Sequence, residues 1–222
     1  MTALRELLPH LYHLVVNVLL VHIWEHQPNF VLMTCRVQCS KVIPIFILKV
    51  ICCRIMIFIV RAMQLAKEAG LQICLDMASY NVVEAEREFF DMLITKYVDI
   101  VFANESEARA YTGKGPEEAL QEISSKCSIV VIKTGKSGSL VKKGTEVIRV
   151  NPFPVKKVVD TTGAGDFYAA GFLYGLTCGY SLEKCAQISS ILAGYVIQTV
   201  GTALTKKKWN EIKLNIESVL QA

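Results

Sequence analysis

The sequence lacks the patterns that mark several common classes of protein. Its eight cysteines form no C-x-x-C pair and lie mostly in apolar runs, and its four histidines all fall within the first 26 residues. A disulfide framework or a structural zinc site is therefore not expected, and packed thiols in a reducing compartment, the cytoplasm, are the simpler prediction. Beyond those first residues, acid–base chemistry must use side chains other than histidine.

The net charge of the chain is also small. The formal charge is +4, with five Lys and Arg against two acids in residues 1–60 and nineteen against eighteen in residues 61–222. A nearly neutral C-terminal part has no basic face of the kind that binds nucleic acid, so no nucleic-acid partner is expected. The 222 residues suffice for one α/β domain with a sizeable core.

No clear membrane anchor or signal peptide is present. The apolar run over residues 42–60 has the length of a membrane span, but it contains Pro44, Lys49 and Arg54. Charges are expensive at the centre of a bilayer, so a transmembrane helix is not favoured. Membrane contact through residues 42–60 stays a minor alternative.

After the first sixty residues, helical and strand patterns alternate. A helical pattern ends at Gly70, and a short apolar strand over residues 71–75 ends in Asp76. An acidic amphipathic helix over residues 82–96 and a strand over residues 99–102 follow. This order predicts right-handed βαβ units and an α/β fold with a mainly parallel sheet.

A glycine-rich turn stands before the next strongly apolar helix. Residues 160–166 read DTTGAGD and precede a helical pattern over residues 167–178. Glycines leave the N–H groups at a helix start unshielded, and the helix dipole favours a phosphate there. Asp166 can cap the helix or accept a proton from an alcohol that attacks phosphorus. A capping turn and a phosphate-transfer site both fit these residues.

The complete string resembles the C-terminal signature of the ribokinase-like (PfkB-type) carbohydrate and nucleoside kinases, which include fructokinases and adenosine kinases. The resemblance implies an anion hole made by Gly163, Ala164, Gly165 and Asp166, with Asp166 as the catalytic base. It also implies ATP and Mg²⁺ as cofactors, a sugar or nucleoside as acceptor, and a ribokinase-like three-layer fold. Two other phosphate loops are excluded, because neither G-x-x-x-x-G-K-[ST] nor G-x-G-x-x-G occurs here.

A second motif, Asn104-Glu105-Ser106-Glu107, follows a predicted strand. Asn104 and Glu107 have the spacing of a helix-capping box. They also resemble the N-x-x-E motif of the kinase family, which implies that both residues orient magnesium and the ATP phosphates through water. Because DTTGAGD lies downstream, we favour the functional interpretation, and one residue can serve both purposes.

The third motif resembles the family's nucleotide loop. A Val- and Ile-rich strand over residues 128–132 leads into KTGKSG, which alone would also fit an ordinary hairpin turn. The segment over residues 199–202 resembles the one that closes over adenine. Together with Asn104, the residues that the resemblance assigns to ATP binding are Lys133, Thr134, Gly135, Gly138 and Gly201. Thr134 stands where the family usually has an apolar residue.

Asp160 and Thr162 match positions that hold a monovalent cation, K⁺, in many family members, and they fit turn residues equally well.

Residues 1–60 do not resemble the family. The early strands, the Gly-Gly substrate motif and the lid are not recognisable there, so we predict a C-terminal kinase part over residues 61–222 behind a non-family segment, from a truncated or alternatively spliced product. Two functions follow as alternatives: an ATP-dependent sugar or nucleoside kinase, or a catalytically silent nucleotide-binding fragment. No oligomeric state is predicted, since dimers formed through a lid need a lid.

Overall fold

The computed structural model describes residues 45–49 and 56–221. Strands and helices alternate in the first part of this region, and helices dominate its end. In chain order the elements are β1 (Ile45–Lys49), α1 (Met56–Glu68), β2 (Gln72–Asp76), α2 (Tyr80–Ala85), α3 (Arg87–Lys96), β3 (Ile100–Asn104), α4 (Glu105–Thr112), α5 (Pro116–Ser124), β4 (Ile129–Lys133), β5 (Ser139–Lys143), β6 (Glu146–Val150), α6 (Ala164–Thr177), α7 (Leu182–Val196) and α8 (Lys206–Gln221).

The strands of the described residues form one sheet in the order β1-β2-β3-β4-β5-β6. Strands β1 to β4 pair in parallel, and β5 and β6 are added by antiparallel pairing. The register places Lys49 beside Asp76 and Asn104 beside Lys133. Four polar residues therefore end the four parallel strands at one edge of the sheet, where open α/β folds bind ligands.

Helices cover both faces of this sheet. Successive strand residues point to opposite faces, so Val101 and Ala103 pack in the core beneath α1–α5, whereas Ile100 and Phe102 pack beneath α6 and α7. The Phe102 and Phe172 rings meet edge to face with centroids 5.6 Å apart. A further apolar cluster joins α6, α7 and α8. The predicted α/β fold in three layers with a mainly parallel sheet is confirmed.

The predicted single helix over residues 82–96 is wrong. The chain forms two helices, α2 and α3, which meet at Glu86 with φ −124° and ψ 35°, outside the helical region. Phe90, Leu93 and Ile94 of α3 are fully buried, as is Val83 of α2. The apolar spacing continues across the break because both helices pack on the same core, so the pattern did not reveal it.

The predicted boundary between residues 60 and 61 falls inside α1, between the buried side chains of Ile59 and Met63. Strand β1 pairs with β2 along all five of its residues. Within the part of the chain that the structure describes, no helix is long and apolar enough to cross a bilayer. The predictions for residues 1–44 lie outside the described residues.

Candidate active site

The N-terminus of α6 lies against the polar edge of the sheet. Gly163 is the N-cap residue with φ 78° and ψ −3°, so Ala164, Gly165 and Asp166 form the first helical turn. A Cβ atom added to Gly165 would lie 3.3 Å from the Lys133 Nζ and 4.0 Å from Asp76 Oδ2. The glycine-rich turn and the strand ends therefore enclose one site.

Backbone donors are available in this turn. The Ala164 N–H donates to the Thr161 carbonyl at 3.1 Å, and the Phe167 N–H donates to the Gly163 carbonyl at 2.9 Å. Among residues 45–49 and 56–221, no acceptor occupies the N–H groups of Gly165 and Asp166. Two amides at the positive end of a 14-residue helix can thus bind an anion.

Asp166 makes the closest charged contact of the site. Lys49 Nζ donates to Asp166 Oδ1 at 2.8 Å, and the two side chains are 25% and 15% exposed. Burial of the Lys49 ammonium acts to lower its pKa, but the negative charges of Asp76, Asp166 and Glu107 outweigh it, and the pKa is raised above its ordinary value. Lys49 therefore carries its positive charge at neutral pH.

A second ion pair lies beside the first. Lys133 Nζ donates to Asp76 Oδ2 at 3.3 Å, and Asp76 Oδ1 accepts from the Ala78 N–H at 2.9 Å. The Asp76 residue is only 5% exposed. Its burial is compensated by the lysine and by the backbone donor, as a buried carboxylate requires.

The Asn104–Glu107 capping box is present. The Glu107 N–H donates to Asn104 Oδ1 at 2.9 Å, and the Asn104 N–H donates to Glu107 Oε2 at 2.8 Å. Asn104 Nδ2 donates to Glu107 Oε1 at 2.6 Å. Burial, chiefly, raises the pKa of Glu107, Asp76 adds to that effect, and Lys133 opposes it. The predicted capping box is therefore confirmed, and the binding of magnesium by these two residues stays a prediction.

The donor set here fits an indirectly bound magnesium ion. Within the described ranges, no group of three or more His, Cys, Asp or Glu side chains is arranged to hold a metal. Both Glu107 oxygens already accept hydrogen bonds from Asn104. Mg²⁺ keeps several of its waters and needs few protein ligands, so Asn104 and Glu107 can reach it through water.

The predicted nucleotide loop follows β4. Gly135 and Gly138 have positive φ angles of 54° and 88°, and the Thr134 N–H donates to the Gly138 carbonyl at 2.8 Å. A Cβ atom on Gly138 would lie 1.9 Å from the Val150 carbonyl oxygen, so this glycine is needed for packing. Thr134 Oγ1 is buried, and no partner for it lies among the described residues. The loop fits the hairpin interpretation, and its predicted contacts with ATP are untested.

Asp160 ties the glycine-rich turn to the predicted adenine segment. Its Oδ1 accepts from the Thr162 N–H and its Oδ2 from the Gly201 N–H, both at 2.9 Å. These two backbone donors lower the pKa of Asp160. Asp160 therefore stabilises the turn, which is one of its two predicted roles. Binding of a monovalent cation by Asp160 and Thr162 stays a prediction.

Sequence reasoning missed the two lysine–carboxylate pairs as units. Lys49 and Asp166 are separated by 117 positions, and Lys133 and Asp76 by 57. The sequence predicted for Lys49 only that its charge disfavours a membrane span. The available signal was its position at the polar end of an apolar strand pattern.

Residues 40–209 match the sequence profile of the pfkB family carbohydrate kinases. The chain belongs to the pfkB family. The match contains every predicted site residue, and it also includes Lys49 and Asp76. It begins before the predicted boundary at residue 61.

Relatives in the pfkB family agree with this assignment. The ATP-dependent 6-phosphofructokinase of Thermoanaerobacterium thermosaccharolyticum is 33% identical over 153 residues, which are 66% of this chain and 47% of that protein. A probable sugar kinase from Rhizobium etli aligns with TM-score 0.67 and 35% identity over 72% of this chain and 49% of the other. Adenosine kinase from Sinorhizobium meliloti aligns with TM-score 0.65 and 35% identity over 69% and 48%. The chain spans about half the length of these pfkB proteins.

Proposed function

We propose that the protein transfers the γ-phosphoryl group of ATP to a hydroxyl group of a sugar or nucleoside. The observation that carries this proposal is the position of Asp166, whose carboxylate stands in the same helical turn as the amides of Gly165 and Asp166, which no acceptor among the described residues occupies. A base and an anion-binding group are thus side by side. Phosphoryl transfer needs both, with the attacking oxygen and the transferring group held together.

In the proposed step, Asp166 accepts the proton that the acceptor hydroxyl loses. The acceptor hydroxyl gives its proton to the carboxylate, and its oxygen forms a bond to the γ-phosphorus. The bond from that phosphorus to the bridging oxygen of ATP breaks, and ADP leaves with the bonding electrons. Amides of the glycine-rich turn stabilise the charge on the transferring group.

Each cofactor has residues proposed for it. Mg²⁺ would neutralise phosphate charge when bound, and Asn104 and Glu107 would orient it through water. ATP would lie along Lys133, Thr134, Gly135 and Gly138, with Gly201 near its adenine ring. K⁺ would lie at Asp160 and Thr162. The relative from T. thermosaccharolyticum is by name ATP-dependent, which supports ATP as the phosphoryl donor.

The acceptor class rests on the relatives. Those reported above are by name a 6-phosphofructokinase, a probable sugar kinase and an adenosine kinase. Sugars, sugar phosphates and nucleosides therefore form the panel to test.

Burial raises the pKa of the Cys127 and Cys185 thiols to about 12, so both stay protonated. Both are free cysteines, which supports the cytoplasmic location we propose.

A coupled assay of ADP release tests the proposal. Purified protein with ATP and Mg²⁺ should release ADP only when an acceptor from the panel is added. Asp166→Ala should lower that rate by about 10²- to 10⁴-fold, the range for a lost proton-transfer group. Asp91→Ala is the matched control, because Asp91 also pairs with a lysine, Lys126, at 2.6 Å, away from the site.

The second candidate is a catalytically silent nucleotide-binding fragment. It is favoured by one fact: the chain spans 47% of the length of its 6-phosphofructokinase relative. An ATP-binding titration beside the ADP assay separates the two candidates. Binding without acceptor-dependent turnover supports the silent fragment, and absence of ATP binding contradicts both.

A further inference from the structure

Lys49 has a place in the site that none of the three motifs explains. It is the last residue of β1, in register with Asp76 of β2, and the preceding Leu48 is fully buried. The backbone that carries Lys49 is therefore fixed by the sheet. Its side chain crosses the polar edge and ends at Asp166, on the first turn of α6.

We propose that Lys49 is a positioning residue for Asp166, an inference that rests on the proposed kinase function. Its ammonium binds Oδ1, and among the described residues no donor binds Oδ2. One oxygen is thereby held and the other stays open to receive the proton of the acceptor. A base oriented by a third group is the arrangement that directs proton transfer in many active sites.

The charges around Asp166 make this lysine necessary. Three carboxylates, those of Asp76, Glu107 and Asp166, act on the Lys49 ammonium, and Lys133 is already paired with Asp76. Without Lys49, Asp166 would lose the ammonium that binds its Oδ1, and the Lys133 ammonium is held by Asp76.

A second lysine–aspartate pair, away from the site, serves as a control for a merely structural role of Lys49. Lys67 makes a comparable ion pair with Asp99 at 2.7 Å, with side-chain exposures of 37% and 24%. Asp99 directly precedes β3, at the opposite end of that strand from Asn104. If Lys49 only held the fold together, Lys49→Met and Lys67→Met should have similar effects.

The test compares Lys49→Met, Lys49→Arg and Lys67→Met with the wild type in the ADP-release assay over a range of pH. Lys49→Met should lower kcat by about 10- to 100-fold, the effect typical of groups that orient a functional ligand. KM for the acceptor should change less than kcat, because Lys49 is proposed to orient the base rather than to bind the acceptor. Lys49→Arg should restore most of the rate, and Lys67→Met should leave the rate unchanged.

A second readout does not depend on turnover. In protein labelled with ¹³C-lysine, the signal that Lys49→Arg removes identifies Lys49. Asp166→Asn should lower the pH at which that signal titrates, because the neighbouring negative charge is lost. An unchanged titration means that the ion pair does not form, and the inference fails.

The outcomes also separate the inference from the proposed function. A wild type that uses no acceptor overturns the kinase proposal and the positioning role with it. An active wild type whose Lys49→Met variant has equal or higher kcat overturns the positioning role alone, and higher kcat would show that Lys49 blocks the base. Thermal melting of each variant identifies any that fail to fold, in which case Lys49→Arg and the lysine titration decide.

Discussion

Gly163 is expected to be hard to replace, and Gly163→Ala tests the close approach that forms the glycine-rich turn. Its φ of 78° lies in the left-handed region, and a Cβ atom there would lie 2.5 Å from Thr202 Cγ2. The left-handed backbone costs an L-residue about 1–2 kcal/mol. Overpacking against the Thr202 methyl adds about 1–3 kcal/mol.

A matched control isolates the first of these costs. Gly113 has nearly the same φ, 76°, and a Cβ atom there would meet nothing within 4 Å. Gly113→Ala should therefore lower the free energy of unfolding by about 1–2 kcal/mol only. The difference between the two variants measures the contact with Thr202.

A double-mutant cycle assigns that difference to one methyl group. Thr202→Ser removes Cγ2, and the Thr202 Cβ is at 3.7 Å, an ordinary contact distance. In urea unfolding experiments, the double variant should recover the overpacking cost and keep the backbone cost. Equal losses for Gly163→Ala and Gly113→Ala, or no recovery with Thr202→Ser, would refute the reasoning.

Three further predictions concern the edge of the sheet. Asn104→Ala should destabilise the protein by about 0.5–2 kcal/mol through loss of the N-cap, whereas Asn104→Ser should keep the cap; urea unfolding of both variants checks this. The raised pKa of Lys49 stabilises the fold fully below the ordinary value of 10.5, and this contribution is lost as the pH rises through the folded-state value. Stability of the wild type should accordingly fall more than that of Lys49→Met between about pH 10 and the higher folded-state pKa, and parallel curves would contradict it. Gly138→Ala should cost more stability than Gly135→Ala, because only Gly138 meets the Val150 carbonyl, and equal unfolding midpoints would count against that contact.

Motifs that lie within a few consecutive residues could be predicted from the sequence. The capping box of Asn104 and Glu107 forms as the spacing indicates. The anion site was placed at a helix start, although α6 begins at Ala164, three residues before the predicted start at Phe167. Local hydrogen bonds and apolar spacing decide these features, so the chain need not be folded to reveal them.

Tertiary structure alone decided which residues meet across long separations. Nothing in the apolar run over residues 42–60 indicates that Lys49 would reach Asp166, 117 positions away. The approach of Thr202 to Gly163 and the pairing of Lys133 with Asp76 are equally invisible in the sequence. These contacts depend on how the parallel strands pair and on how α6 packs on the sheet, and neither leaves a short-range pattern in the sequence. The sequence by itself therefore determined the anion-binding turn with its carboxylate, and the fold determined which cation faces that carboxylate.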